Sequence, residues 1–227
     1  MNTPLVSVII PVFNGAAYIE EALASIAAQK YPALDLILVD DGSLDNSAFI
    51  AQVFCHQTGL PLRTISQANL GPSAARNQGI RAARGELVAF LDADDLWNPA
   101  KLHTQLGFLL THPENQVIWG QVQMFSSQNQ QRTLLGQPWL GPNTGCLLIR
   151  RAVFEQVGLF DETMRSGEDL DWCLRMRENG LAYLVHPEVV LEYRRHETNS
   201  WLAQTNPQKS TLLALKKKLE RQRQASS

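Results

Sequence analysis

The chain has 227 residues, a net charge of -2 and an apolar content of 44%. These values fit a soluble globular protein with one large domain or two small ones, and they argue against a general nucleic-acid binder. Three widely spaced cysteines lack metal-binding spacing and indicate buried thiols in a reducing compartment. The sequence has neither a basic signal-peptide start nor a long apolar run, so we expect a cytoplasmic protein.

Apolar strands alternate with helices over residues 1–98, the first predicted half of the chain. The predicted strands are Leu5–Ile10, Leu34–Val39, Leu62–Ile65 and Glu86–Leu91. The predicted helices cover residues 16–29, residues 45–58 and a segment that begins at a Ser73 cap and ends near Ala83. Strands that are apolar throughout and joined by helices indicate an α/β fold, with a mostly parallel sheet covered on both faces.

The pattern becomes mixed over residues 99–205, the second predicted half. Helices are predicted over residues 100–111, 151–157 and 167–180, and strands over residues 116–125, 132–135, 143–149, 182–185 and 189–193. Residues 206–227 form a third segment, which contains a basic amphipathic helix over Leu212–Arg223. This helix is either solvated or in weak peripheral contact with the inner face of an anionic membrane.

Polar side chains follow three strands of the first half. We call these polar segments the strand exits, and they are Pro11–Asn14, Asp40–Ser43 and Asp92–Asp95. Ligands of open α/β sheets bind outside the carboxyl ends of the strands, so we expect these three exits to converge on one site.

Three carboxylates, Asp92, Asp94 and Asp95, end the fourth strand abruptly. Burial of unpaired charge is costly, so a divalent cation that holds a substrate's phosphates is one natural partner. A solvated turn in which Asp caps the next helix is the alternative, because Asp is common at caps and turns.

Two further polar clusters lie in the second half. Glu168 and Asp169 follow Gly167 at a predicted helix start, where the helix dipole stabilises a carboxylate that could act as a base or a ligand. Simple capping is the alternative reading, and an Asp171–Arg175 ion pair is expected on the same helix. Arg194, Arg195 and His196 end a predicted strand, either as phosphate and metal ligands or as a surface basic patch.

Together these motifs resemble the family 2 glycosyltransferases of the GT-A fold, over about residues 5–200. The resemblance rests on the following segments: Ser7-Val-Ile-Ile-Pro-Val-Phe-Asn14, Val39-Asp-Asp-Gly-Ser-Leu-Asp45, Asn69-Leu-Gly-Pro-Ser-Ala-Ala-Arg-Asn77, Ala83–Asp95, Val157–Asp161, Gly167–Asp169 and Tyr193–His196. It implies a Rossmann-like, mostly parallel sheet with helices on both faces, plus a smaller mixed subdomain on the acceptor side.

The resemblance also implies roles for individual residues. The nucleotide-sugar site would include Pro11, Phe13, Asn14, Asp41, Gly71, Arg76, Asp92 and Ala93. Arg76 would face the diphosphate or hold Asp41, and Asp94 with His196 would hold Mn²⁺ or Mg²⁺. Asp169 would be the general base. Asp40, Asp95, Glu168, Arg194 and Arg195 are lesser candidates, and Arg194 or Arg195 would neutralise the leaving diphosphate.

The implied reaction is inverting transfer from a UDP-, GDP- or dTDP-sugar to a hydroxyl of a carbohydrate, lipid-linked or protein acceptor. No Gln-X-X-Arg-Trp motif is present, which disfavours a processive polysaccharide synthase. Two alternatives remain. A nucleotidyltransferase would be expected to carry cations in the first loop, where Pro11-Val-Phe-Asn-Gly15 has none. An inactive sugar-nucleotide-binding scaffold is the other.

Overall fold

The computed structural model describes residues 3–128, 131–196 and 207–225. Its strands are β1 Val6–Val12, β2 Leu34–Asp40, β3 Leu62–Ser66, β4 Leu87–Phe90, β5 Leu96–Trp97, β6 Val117–Gln128, β7 Gln131–Trp139, β8 Leu147–Arg150 and β9 Tyr183–Arg195. Its helices are α1 Ile19–Ala27, α2 Ser47–Thr58, α3 Pro72–Ala82, α4 Lys101–Thr111, α5 Val153–Val157, α6 Glu168–Glu178 and α7 Pro207–Ala225.

The first half forms the predicted parallel sheet, and the structure gives its strand order as β3-β2-β1-β4. Its two central strands, β1 and β2, are almost wholly buried, which explains their continuous apolar runs. Helix α3 packs on β1 so closely that a Cβ built on Gly79 would lie 2.3 Å from the Ile9 side chain. Only glycine fits at this helix–strand contact.

The same sheet continues into a mixed half. Strand β8 pairs antiparallel with both β4 and β6, whereas β6 runs parallel to β9. Strand β5 forms an edge of the sheet and pairs antiparallel with β9, and β7 pairs antiparallel with β6. The buried core extends through both halves, so the sheet positions residues from each half relative to the other.

The structure corrects three expectations about secondary structure. Helix α3 is capped at Gly71 (φ 95°) with Pro72 as its first residue, and not at Ser73. The predicted strand over 143–149 is a 3₁₀ turn, Thr144–Cys146, followed by β8, because the Asn143 side chain accepts the Gly145 N–H and bends the chain. The two predicted strands over 182–193 are one long strand, β9, whose pairing with β6 shifts register near Gly120.

Helix α7 packs against α6, the helix that begins at Glu168. Among the described residues, no helix is long and apolar enough to cross a membrane. All three cysteines are buried, as expected.

Candidate active site

The first two strand exits contact each other directly. The backbone N–H of Asn14 donates to the Ser43 hydroxyl at 3.0 Å, and the Asn14 side chain accepts the Leu44 N–H at 2.8 Å. Asn14 adopts a φ of 52°, a left-handed conformation that asparagine tolerates better than most residues. A Cβ on Gly15 would lie 3.2 Å from the Ala93 Cβ, which places the third exit beside the first. The predicted convergence of the three exits is therefore present.

Within these exits, Asp40 and Asp41 have different surroundings. Asp40 accepts the Ser43 N–H at 2.9 Å and shapes the loop after β2. Asp41 is buried and accepts hydrogen bonds from the Gln67 side chain and from the backbone N–H groups of Leu70 and Gly71. Asp41 therefore anchors the loop that leads into α3. Phe13, by contrast, is 51% exposed on the same edge.

A buried guanidinium connects two of the acidic clusters. Arg76, on α3, donates to Asp92 at 2.8 Å and to Glu168 at 2.7 Å, and lies 3.5 Å from Asp169. Its side chain is only 4% exposed. Asp41 accepts its hydrogen bonds from Gln67, Leu70 and Gly71, so the alternative in which Arg76 holds Asp41 is wrong, and the one in which it faces the diphosphate stays a prediction. The three carboxylates around Arg76 offset the cost of burying its charge.

Asp169 lies in the first turn of α6, after Gly167, whose φ is 78°. Its Oδ2 accepts the Thr144 N–H at 3.1 Å, whereas its Oδ1 has no hydrogen-bond partner within the described part of the chain. Burial, followed by the charges of Glu168 and Asp92, raises the pKa of Asp169 to about 7 against the lowering effect of Arg76. This carboxyl group can therefore exchange a proton near neutral pH.

Asp94 and His196 come together from the two halves of the sheet. The imidazole Nε2 lies 3.0 Å from Oδ2 of Asp94, and the ring packs on Tyr18 with centroids 4.7 Å apart. This is a hydrogen bond between the two side chains, and its length also matches the roughly 3 Å between adjacent ligands of an octahedral cation with bonds of about 2.1 Å, so a cation could replace the shared proton. Among the described residues, at this position and at all others, no cluster of three His, Cys, Asp or Glu side chains could hold a metal, so the pair supplies two protein ligands at most.

Asp95 and Arg194 are buried structural partners. The Arg194 N–H donates to Asp95 at 2.8 Å, and its guanidinium donates to the Asp94 carbonyl and to Glu21. The guanidinium also lies over Phe125, 4.7 Å from the ring centroid. The role expected of Arg194, neutralising a diphosphate, is incompatible with a side chain that is 2% exposed. Arg195, the other candidate, is exposed.

Two residues at this site were not predicted from the sequence. Thr144 supplies the N–H that orients Asp169, and Tyr18 supports the His196 ring. The Asn-Thr-Gly turn signal at 143–145 could have indicated the first, whereas nothing local indicates the second. The expected Asp171–Arg175 ion pair is present at 2.9 Å, and Asp171 also pairs with Arg221.

The sequence matches the family model described as Glycosyl transferase family 2 over residues 7–166. An uncharacterised glycosyltransferase of Rickettsia typhi is 32% identical over 97% of this chain and 74% of that protein. An uncharacterised glycosyltransferase of a Nostoc species is 35% identical over 67% of this chain and 52% of that protein. The chain thus spans about half to three quarters of the length of these relatives.

Solved structures share the fold. Residues 1–349 of S. aureus TarS in complex with UDP superpose with a TM-score of 0.70 at 25% identity, over 84% of this chain and 60% of that one. The mannosyltransferase PcManGT of Pyrobaculum calidifontis, solved with GDP-Man and Mn²⁺, gives a TM-score of 0.70 at 22% identity over 88% of this chain and 59% of that one. The predicted GT-A fold is confirmed, and with the family match over residues 7–166 the chain belongs to glycosyl transferase family 2.

Proposed function

We propose that the chain is an inverting glycosyltransferase that moves a sugar from a nucleoside-diphosphate sugar to an acceptor hydroxyl. The observation that carries this proposal is the geometry of Asp169, a buried carboxylate at a helix start. One of its oxygens accepts the Thr144 N–H, and the other lies 3.5 Å from Arg76 and accepts no hydrogen bond within the described residues. Its pKa of about 7 suits a general base at neutral pH. The ligands of the structural neighbours, UDP for TarS and GDP-Man for PcManGT, support a nucleotide-sugar donor.

The donor would lie along the edge where the three strand exits meet. Phe13 offers an exposed ring there for the nucleobase, and the backbone at Pro11, Asn14, Gly71 and Ala93 lines the same edge in this proposal. Asp41 keeps the Gly71 loop in place through its backbone bonds, and a fourth lone-pair position on its carboxylate remains for the nucleobase. Arg195 is the exposed cation proposed to face the diphosphate.

Asp94 and His196 would hold a divalent cation together with phosphate oxygens and water. A cation with few protein ligands is typical of sites where the substrate's phosphates complete the coordination shell. One nitrogen and one oxygen ligand form a softer donor set than Mg²⁺ prefers, so we favour Mn²⁺, as present in PcManGT. Once bound, the cation would supply Lewis-acid stabilisation of the leaving diphosphate.

The transfer itself follows from charge and geometry. The anomeric carbon develops oxocarbenium character as its bond to the diphosphate lengthens. Asp169 takes the proton of the acceptor hydroxyl, and the resulting oxygen attacks from the face opposite the departing group, which inverts the configuration. Arg76 donates hydrogen bonds to Asp92 and Glu168, whereas Oδ1 of Asp169 lies 3.5 Å from Arg76 and accepts no hydrogen bond within the described residues, so we assign the proton transfer to Asp169.

The test compares donor binding with turnover. UDP and GDP are first screened by thermal shift with and without Mn²⁺, since a ligand of the folded state raises the unfolding temperature. The sugar nucleotide of the better base is then assayed for hydrolysis and transfer. Asp169→Asn should lower turnover by about 10²–10⁴-fold and leave nucleotide affinity unchanged. Glu155→Gln, at an exposed position, is the matched control.

Two results would contradict the proposal. Equal loss of turnover and nucleotide affinity in Asp169→Asn would show that Asp169 is a binding residue and not the base. Nucleotide-sugar binding by the wild-type chain without any turnover would favour the inactive scaffold.

A further inference from the structure

Helix α7 docks on the rest of the molecule through one face. Ala214 is fully buried, Lys217 pairs with Asp161, and Arg221 pairs with Asp171 at 2.8 Å. Ser210 packs so tightly over Gly167 that a Cβ there would lie 2.9 Å from the Ser210 carbonyl oxygen. Spacings of four, three and four residues place these contacts on one helix face, and they fix α7 against the start of α6.

The opposite face of α7 carries an apolar stripe, formed by Leu212, Leu215 and Leu219. These side chains are 65%, 41% and 54% exposed. Their spacing of three and four residues places them on a single face, turned roughly half a revolution from Ala214. Three aligned leucines in water are not explained by the docking of α7 on α6, since the docked face is already satisfied by Ala214 and the ion pairs.

The charge of α7 is opposite to that of the chain. The helix contains six basic side chains and one acidic one, Glu220, whereas the whole chain has a net charge of -2. Lys217 and Arg221 are held in the ion pairs with the core, but Lys209 and Lys216 are exposed and flank the leucine stripe. Lys216 also lies 3.8 Å from Glu220, an exposed contact that contributes little.

We propose that α7 is an interfacial helix that binds the surface of an anionic phospholipid bilayer. The leucine stripe would enter the boundary between headgroups and acyl chains, and Lys209 and Lys216 would face the lipid phosphates. A second copy of the chain fits this face less well, because a seam between two such stripes would bring the lysines of both copies together. Because α7 is fixed to the start of α6, binding in this mode holds the rest of the molecule at the lipid surface. A preference for acceptors presented at that surface follows from this and rests on the proposed function.

The test is vesicle flotation of the whole chain, with phosphatidylcholine vesicles and with vesicles that also contain phosphatidylglycerol. We expect binding to the second kind alone, weakened by salt. The double variant Lys209→Gln/Lys216→Gln should bind roughly 30-fold more weakly, since each basic residue near an anionic surface contributes about fivefold. Leu215→Gln/Leu219→Gln should abolish flotation, and glutamine keeps a helix propensity close to that of leucine.

Leu134→Gln, at a 59% exposed position on β7, is the matched control and should float like the wild type. Thermal unfolding and nucleotide binding should be unchanged in every variant, because these side chains contact neither the core nor the proposed donor site. The proposal is overturned if the wild type fails to float with either kind of vesicle. It is also overturned if Leu134→Gln reduces flotation as much as the α7 variants, or if ultracentrifugation shows a dimer that Leu215→Gln/Leu219→Gln dissociates.

Discussion

The guanidinium of Arg76 holds the carboxylate of Asp92 at 2.8 Å, although one residue lies on a helix and the other follows a strand. The same guanidinium reaches Glu168 at 2.7 Å. One buried cation thereby joins the acidic end of β4 to the start of α6. The proposed donor-binding carboxylate and the proposed base are thus held in register by a residue that itself need not touch the substrate.

Replacement of Arg76 by methionine should be strongly destabilising. The substitution leaves Asp92, Glu168 and Asp169 without their shared cation, and breaking a buried ion pair costs about 3–5 kcal/mol. Arg76→Lys should lie between wild type and Arg76→Met, because an ammonium group cannot reproduce the forked contacts. Urea unfolding measures the free energy of unfolding of both variants.

Arg81→Met is the control, because it removes only an exposed ion pair with Glu162 and should lower the free energy of unfolding by no more than about 1 kcal/mol. A cost for Arg76→Met no greater than that of the control would contradict this prediction.

The transfer rate should rise with pH through about 7 and then level off. Asp169 must be ionised to accept a proton, and its pKa is raised to about 7 by burial and by the neighbouring carboxylates. The pH dependence of kcat/KM, which reports groups of the free enzyme, measures this directly. Arg76→Lys should move the inflection to higher pH if its ammonium pairs less closely with Asp169. An inflection near pH 4 in the wild type would assign the titration to an ordinary carboxylate instead.

The same carboxyl group should make the folded state less stable at high pH. Its folded pKa lies above the unfolded value of about 3.9, so the folded state binds more protons between these two values and loses stability as pH rises through about 7. Asp169→Asn cannot ionise and should therefore gain stability relative to wild type as pH rises from about 4 to about 7, by on the order of 1 kcal/mol per pH unit, with no further gain above this range. Urea unfolding at several pH values provides the comparison. A constant difference across this range would show that Asp169 does not titrate there.

Metal-dependent nucleotide binding should depend on both Asp94 and His196. Their atoms lie 3.0 Å apart, in a position to share one cation. Asp94→Asn and His196→Gln should each weaken UDP or GDP binding in the presence of Mn²⁺ by about 10–100-fold and have little effect in its absence. Calorimetry with and without Mn²⁺ separates the two conditions, with Glu188→Gln, an exposed residue, as the control. Metal-dependent affinity that survives in both variants would place the cation elsewhere.

The sequence predicted the parallel half of the sheet well because its signals are local. Each buried strand is an apolar run of its own, and each polar exit follows directly along the chain. Parallel pairing then dictates that these exits lie on one edge, so Asn14 and Ser43 could be expected to meet without knowledge of any other contact.

The ion-pair partners of buried charged residues could not be predicted in this way. Arg76 pairs with Glu168, which is 92 residues away, and Arg194 with Glu21, which is 173 residues away. Such contacts depend on how the mixed half of the sheet lies against the parallel half. The register shift of β9 near Gly120 likewise depends on packing, since Val190 and His186 occupy the space that a side chain at Gly120 would need.

Lys101 provides a final prediction, on stability and pH. Its ammonium group is fully buried, bonded to Gln105 at 2.7 Å and to the Leu147 carbonyl, and burial lowers the pKa of Lys101 to about 7. Because the unfolded pKa is about 10.4, the unfolded state binds more protons between these values, and the wild type gains stability as pH rises from 7 to 10. Lys101→Met lacks this gain, so the free energy of unfolding of wild type relative to the variant should increase with pH by on the order of 1 kcal/mol per unit.

The nearby His186, whose pKa is lowered to about 4, stays neutral over this range and adds no slope. Urea unfolding at pH 7, 8 and 9 tests the prediction, and Lys216→Met, at a 73% exposed side chain, should show no change of slope. Parallel pH profiles for wild type and Lys101→Met would mean that Lys101 keeps its charge throughout the range and that the two hydrogen bonds fully offset its burial.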